Sequence, residues 1–184
     1  MSLEIYPASP ADAPELTQLF YATFGGDFNR TMFPETADVT EWWEKAFSEW
    51  IERSLAGESD DVILKVTEGS EGVRLSRSRN GSVPRLQIAI ATKNMWCGRR
   101  VVIRSYAIDL DMLGVHPSQQ GRGLGSKLLK WGLVRADAEG VEVYLSASPE
   151  GKPLYEKNGF RGVDTFLPYP GYTQVAMIRS PKEQ

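Results

Sequence analysis

Met112-Leu113-Gly114-Val115-His116-Pro117-Ser118-Gln119-Gln120-Gly121-Arg122-Gly123-Leu124-Gly125 runs from a short apolar stretch through a glycine-rich turn into an amphipathic segment. The spacing predicts a strand, a tight turn and a helix. Residues without Cβ let the chain turn sharply and bring successive backbone N–H groups toward one point. The helix's own unsatisfied donors and positive dipole end aim at the same place. An anion is the natural guest. A purely structural strand-to-helix turn uses the same glycines, so the flanking sequence has to decide between the two.

Downstream, Leu124, Leu128, Leu129, Gly132, Leu133 and Ala136 share one helical face, Lys127, Lys130 and Arg135 point elsewhere, and Gly140 ends the helix. Residues 141–146 alternate as a strand, Pro149-Glu150-Gly151 turns, and residues 152–157 form a short helix before Asn158-Gly159. Two last strands are expected near 161–167 and 172–179. Upstream, residues 3–6 read as a first strand. Ser9 then serves as a helix N-cap, Pro10 as the first helical residue and Asp12 as a partner for the dipole. Leu16, Leu19, Phe20, Thr23 and Phe24 fall on one face of that helix, and Gly25-Gly26 stops it. Residues 27–35 read as a loop.

A second long helix is expected from about Thr40 to Leu55, with Trp43, Phe47, Trp50 and Ile51 on a core stripe and Trp42 off it. Trp42, Phe28 and Phe33 border loops and are the better pocket candidates. From Val62 the pattern turns β-like, over 62–66, 73–79, 85–92 and 101–115, with Asn80-Gly81 as a hairpin turn. Arg74, Arg77, Arg79 and Arg85 around that hairpin read as a solvated strand edge rather than a nucleic-acid site. The element order is α+β, a mixed α/β arrangement without an internal repeat or linker.

The 184 residues fit a single domain spanning 1–184, long enough to bury a core without metal or disulfide. With 41% apolar residues and five Trp, the chain is expected to fold alone. A formal charge of -3 argues against a partner bound by phosphate neutralisation, so no nucleic acid is expected. The single cysteine, Cys97, excludes an internal disulfide, and one histidine, His116, leaves too few ligands for a zinc site of several His and Cys. No metal is expected. His116, followed by Pro117, reads as a strand-end residue. No apolar run approaches about 18 residues and the start carries no basic leader, so a cytoplasmic protein without a membrane partner is expected.

The strand, the Gln-x-x-Gly-x-Gly turn, the helix, the next strand and Leu154-Tyr155-Glu156-Lys157-Asn158-Gly159-Phe160 together resemble the GCN5-related N-acetyltransferase (GNAT) family. The resemblance is strongest from Asp109 to Phe160, and the wording of Ala147 to Tyr155 looks like a fungal-type member. It implies a central, mostly antiparallel twisted sheet of about seven strands flanked by about four helices. It also implies acetyl-CoA as cosubstrate, with the pyrophosphate on the turn formed by Gln120, Gly121, Arg122, Gly123, Leu124, Gly125 and Ser126. The pantetheine arm then runs beside Leu113, Gly114 and Val115, with further contacts from Ser148, Lys152 and Tyr155. An amide near Leu113 facing the thioester oxygen stabilises the charge that develops there, as an oxyanion hole does.

Transfer to an amine asks for a base and for help to the departing thiolate. Tyr155 matches the family's acid. A phenol titrates near about 10 and a thiol near about 8.5, so a neutral tyrosine can support or protonate the sulfur. The alternative is a ring packed in the core. For the base, Asp109 and Asp111 share one face of the strand before the turn, Asp111 lying closer to Leu113 in sequence. The family often keeps a glutamate there. The resemblance thus implies an N-acetyltransferase acting on a primary amine, of a small molecule or a peptide N-terminus, by direct attack in a ternary complex. Monomer and homodimer are both compatible with it. A non-catalytic acyl-CoA sensor is the competing class. A P-loop lacks its Gly-Lys-Ser/Thr here, and dinucleotide binding lacks its glycine spacing.

Overall fold

The element that leads into the glycine turn is a strand and the element that leaves it is a helix, in a computed structural model that describes residues 3–59, 61–68, 88–92 and 107–182. In chain order the described elements are β1 (Leu3–Pro7), α1 (Ala13–Thr23), α2 (Asp27–Met32), α3 (Ala37–Leu55), β2 (Val62–Glu68) and β3 (Ile88–Thr92). They continue with β4 (Ala107–Gly114), α4 (Leu124–Glu139), β5 (Glu142–Ala147), α5 (Lys152–Lys157), β6 (Arg161–Tyr169) and β7 (Tyr172–Arg179). The expected strand over 73–79, the Asn80-Gly81 hairpin, the arginine cluster and Cys97 lie outside the described residues.

The chain divides into two compact units, one of residues 1–89 with 114–128 and the other of 90–113 with 129–184. In the first, β1 pairs antiparallel with β2, Tyr6 opposite Lys65. Asp12, expected only to answer a helix dipole, is the hub of a buried polar cluster. Its carboxylate accepts from the Ser9 amide at 2.7 Å and the Ser9 hydroxyl at 2.9 Å, and from the Lys65 ammonium at 2.9 and 2.7 Å. Asp12 is 0% and Lys65 4% exposed, so neither charge meets water and each stabilises the other. The N-terminal turn is 3-10 over Pro10–Asp12 before α1 begins at Ala13.

α1 and α3 bury an aromatic cluster: Phe20 lies 4.3 Å from Trp43 between ring centroids, and Trp43 stacks on Phe47 at 5.3 Å. Phe33, read as a pocket residue, packs edge-on against Phe20 and Trp43, whereas Trp42 is exposed. The expected loop at 27–35 contains α2, a one-and-a-half-turn helix with no buried residue and hence no apolar periodicity to announce it. α3 starts at Ala37, earlier than its apolar stripe. Thr36 is its N-cap, and the Thr36 hydroxyl holds the Asp38 carboxyl below the usual range.

In the second unit β4 runs parallel to β5, and β7 lies antiparallel between β5 and β6, giving the order β4-β5-β7-β6. Leu129, Leu133 and Ala136 of α4 pack with Leu110, Val143, Leu145, Ala147, Met177, Tyr155 and Phe160. The helical stripe expected for α4 is the buried one, and Gly140, at φ 66, stops the helix. Arg179 donates to both carboxylate oxygens of Asp137 at 2.8 and 2.9 Å, and the Lys182 amide adds a bond to the same group at 2.9 Å. That clamp holds the chain after β7 against α4. Five α-helices are described where about four were expected, the addition being α2.

Candidate active site

The first unit contains the glycine turn. After β4 ends at Gly114, the His116 ring Nδ1 accepts from the Ser118 amide at 3.3 Å and opens a single 3-10 turn over Pro117–Gln119. Gln120 Nε2 then donates to the Val115 carbonyl at 3.1 Å, tying the far side of the turn back to the strand end. Gly121 and Gly123 adopt φ 77 and 76, the left-handed region that side-chain-bearing residues enter at a cost. Nothing stands within 4 Å of a Cβ built on either, so backbone conformation, and not crowding, selects glycine at both. The Gly123 carbonyl accepts the Lys127 amide at 3.0 Å, which makes Gly123 the cap residue of α4. The amides of Leu124, Gly125 and Ser126 therefore belong to the first turn, where a helix has no acceptor of its own for them. A 16-residue helix with such an entry offers amides and dipole to an anion together.

Sequence reasoning missed two contributions to this turn. Gln119 accepts a hydrogen bond from the Arg122 guanidinium across the turn, and Gln120 closes on Val115. Polar residues three and five positions from their partners are the only sequence trace of either bond. The Val115 carbonyl, expected to face an arm laid along the strand, already serves Gln120 with one of its lone pairs.

The second unit contains the acid–base candidates. Asp109 sits in β4 opposite Tyr144 of β5, half-buried, and burial followed by repulsion from Asp111 pushes its carboxyl up to about 7. Asp111, two residues on, is exposed. Environment thus separates two carboxylates that read alike in the strand. Leu113 packs against the core cluster that contains Tyr155.

Tyr155 lies on α5, 8% exposed, its ring edge-on to Phe160 at 5.7 Å, and burial pushes its hydroxyl up to about 12. Gly151 makes room for that ring, since a Cβ there stands 3.2 Å from the tyrosine Cε2. Ser148 and Lys152 both work locally. The Ser148 hydroxyl accepts the Gly151 amide at 3.2 Å, and the Lys152 ammonium lies 3.5 Å from Glu156. Among the described residues no group of three or more His, Cys, Asp and Glu is placed to hold a metal, and no helix is long and apolar enough to cross a membrane.

Residues 87–162 match the family model described as an acetyltransferase (GNAT) domain, less than half of the chain. The whole chain is similar in fold to solved acetyltransferases. With a PaiA N-acetyltransferase from Thermoplasma acidophilum, solved in complex with coenzyme A, it shares 16% identity at a TM-score of 0.65, covering 98% of this chain and 99% of that one. With an N-acetyltransferase from Staphylococcus aureus Mu50 the identity is 20% and the TM-score 0.65, over 99% and 100%. With the ribosomal-protein-S18-alanine N-acetyltransferase from Escherichia coli they are 16% and 0.62, over 100% and 96%. At such identities the likeness is one of fold.

Proposed function

We propose that the chain is an acetyl-CoA-dependent N-acetyltransferase of the GNAT family that acetylates a primary amine, of a small molecule or a peptide N-terminus. The observation that carries it is the pair of left-handed glycines, Gly121 and Gly123, at the entry of α4 inside the matched segment. In this reading the amides of Arg122 to Ser126 receive the pyrophosphate, and residues 113–115 receive the arm. One covalent stretch, 109–126, then carries base, oxyanion donor and anion cradle in sequence.

The amine nitrogen attacks the thioester carbonyl carbon while the Leu113 amide donates to the carbonyl oxygen as it gains charge. Asp109 takes the proton the amine loses. A carboxyl that titrates near neutrality is ionised often enough to act and basic enough to accept. The carbon–sulfur bond then breaks and the thiolate leaves. A phenol at about 12 is a weaker acid than a thiol at about 8.5, so full transfer from Tyr155 to sulfur is uphill. Tyr155 therefore donates a hydrogen bond to the departing thiolate and remains protonated, and solvent supplies the proton of free CoA. The family's glutamate is here an aspartate, and burial gives it the basicity the step needs.

The same proposal includes one domain over 1–184, a central sheet of about seven strands, with which seven strands among the described residues are consistent, and a cytoplasmic enzyme acting as monomer or homodimer. The fungal-type affinity rests on the phrase from Ala147 to Tyr155 alone. Incubation with acetyl-CoA and a panel of amines, read by release of free CoA thiol, tests the activity. Turnover with at least one amine is expected, and tight CoA binding without turnover across the panel turns the reading to an acyl-CoA sensor.

A further inference from the structure

A threonine hydroxyl in a helix has a default partner, the carbonyl one turn back. Thr17 takes it, donating to Ala13 at 3.1 Å, and so does Thr31, donating to Asp27 at 2.8 Å. Thr40 meets the Tyr21 hydroxyl at 3.3 Å. Thr23, the last residue of α1, does neither: its Oγ1 is shut from solvent and has no hydrogen-bond partner among the described residues. A buried hydroxyl left unpaired is destabilising, and the remedy within its own helix was available.

A second, independent feature marks the same spot. A Cβ built on Gly114 stands 3.3 Å from Thr23 Cγ2, 3.4 Å from Thr23 Oγ1 and 3.5 Å from Phe24 Cε2. Glycine at the end of β4 is what lets this threonine come so close to the strand. Gly114 needs no left-handed φ, so the close approach is the reason for a residue without a side chain.

We infer that the Thr23 hydroxyl is a binding contact for the arm of acyl-CoA, donating a hydrogen bond to an amide carbonyl of the arm where it passes Gly114. The inference rests on the acyl-CoA reading above. Gly114 falls along the chain between Leu113, assigned to the thioester, and the glycine turn, assigned to the pyrophosphate. The arm between thioester and pyrophosphate carries amides, and an amide carbonyl is the acceptor this hydroxyl lacks.

Calorimetric titration of the full chain with CoA and with acetyl-CoA, for wild type, Thr23→Val and Thr23→Ser, tests this. Thr23→Val keeps the shape and removes the hydroxyl. It is expected to bind both ligands about tenfold more weakly, while Thr23→Ser retains wild-type affinity and the ligand-free thermal midpoint of Thr23→Val is unchanged or raised. Wild-type affinity in Thr23→Val overturns the inference alone. So does a lowered midpoint, which makes the hydroxyl a structural group, or weakening confined to acetyl-CoA, which moves the contact to the acyl group. Failure of the wild type to bind either ligand overturns the acyl-CoA reading and this inference with it.

Discussion

In the proposed mechanism Tyr155 and Asp109 take opposite tasks from the same physical cause. Burial raises both, but a phenol pushed up to about 12 is locked as a donor, while a carboxyl pushed up to about 7 becomes a base that works near neutrality. Tyr155→Phe keeps the ring packing with Phe160 and removes only the hydroxyl. Its kcat is expected to fall on the order of a hundredfold with CoA affinity unchanged, and an unchanged kcat makes Tyr155 a packing residue. For the wild type, kcat/KM is expected to rise with pH through about 7 as Asp109 ionises, and Asp109→Asn is expected to lose both that limb and most of the rate. Stability supplies a separate check. The folded chain holds the Asp109 proton up to about 7 whereas the ordinary group releases it near 3.8, so between those values the folded state binds more protons. Stability therefore declines as pH rises through that window, and the cost of the buried charge is complete above it. Asp109→Asn is accordingly expected to raise the thermal midpoint more at pH 8 than at pH 4 relative to wild type, the pH values chosen at about the two ends of the window. An equal shift at both contradicts the buried-carboxylate assignment.

At the scale of elements, the glycine turn and the Asp12 cluster carry separable predictions. Gly123→Ala meets no atom within 4 Å and yet must enter the left-handed region, so it is expected to lose about 1–2 kcal/mol in urea unfolding and to weaken CoA binding. Gly123→Asn, a residue that tolerates this region, is expected to lose less. Asp12→Ala strands the buried Lys65 ammonium and is expected to cost about 3–5 kcal/mol, most of it recovered in the double variant with Lys65→Met. A double variant no more stable than Asp12→Ala contradicts charge burial as the cause. Elements whose signal lies in local periodicity or turn chemistry were legible in the sequence. α4 from Leu124, α5 at Lys152–Lys157 and β7 at Tyr172–Arg179 stand where their apolar spacing and flanking glycines put them. α2 was not legible, because a six-residue helix that buries nothing leaves no stripe, and α3 begins at Ala37, ahead of its first buried residue, Trp43, where the apolar stripe gives no signal. The Asp12–Lys65 pair spans 53 residues, a distance over which neither residue type announces the other.

At the scale of the molecule, likeness of fold runs over nearly the whole chain while the family model covers residues 87–162. The candidate site residues from Asp109 to Tyr155 all lie inside that matched segment. The left-handed glycines of the turn and the helix that carries Tyr155 were legible from motif and spacing, but the unequal burial of Asp109 and Asp111 was not, since both residues read alike in a strand. The single-domain proposal predicts one unfolding transition whose calorimetric and van't Hoff enthalpies agree, and two resolved transitions contradict it. Acetyl transfer itself decides the functional reading. Wild-type protein is incubated with acetyl-CoA and a mixture of primary amines and peptides, and mass spectrometry follows the acceptors while thiol release is counted in parallel. The expected result is one acetylated amine formed for each CoA released, with both lost together in Tyr155→Phe and Asp109→Asn. Acetyl-CoA that binds and stays intact, with no amine gaining an acetyl group, contradicts the enzyme.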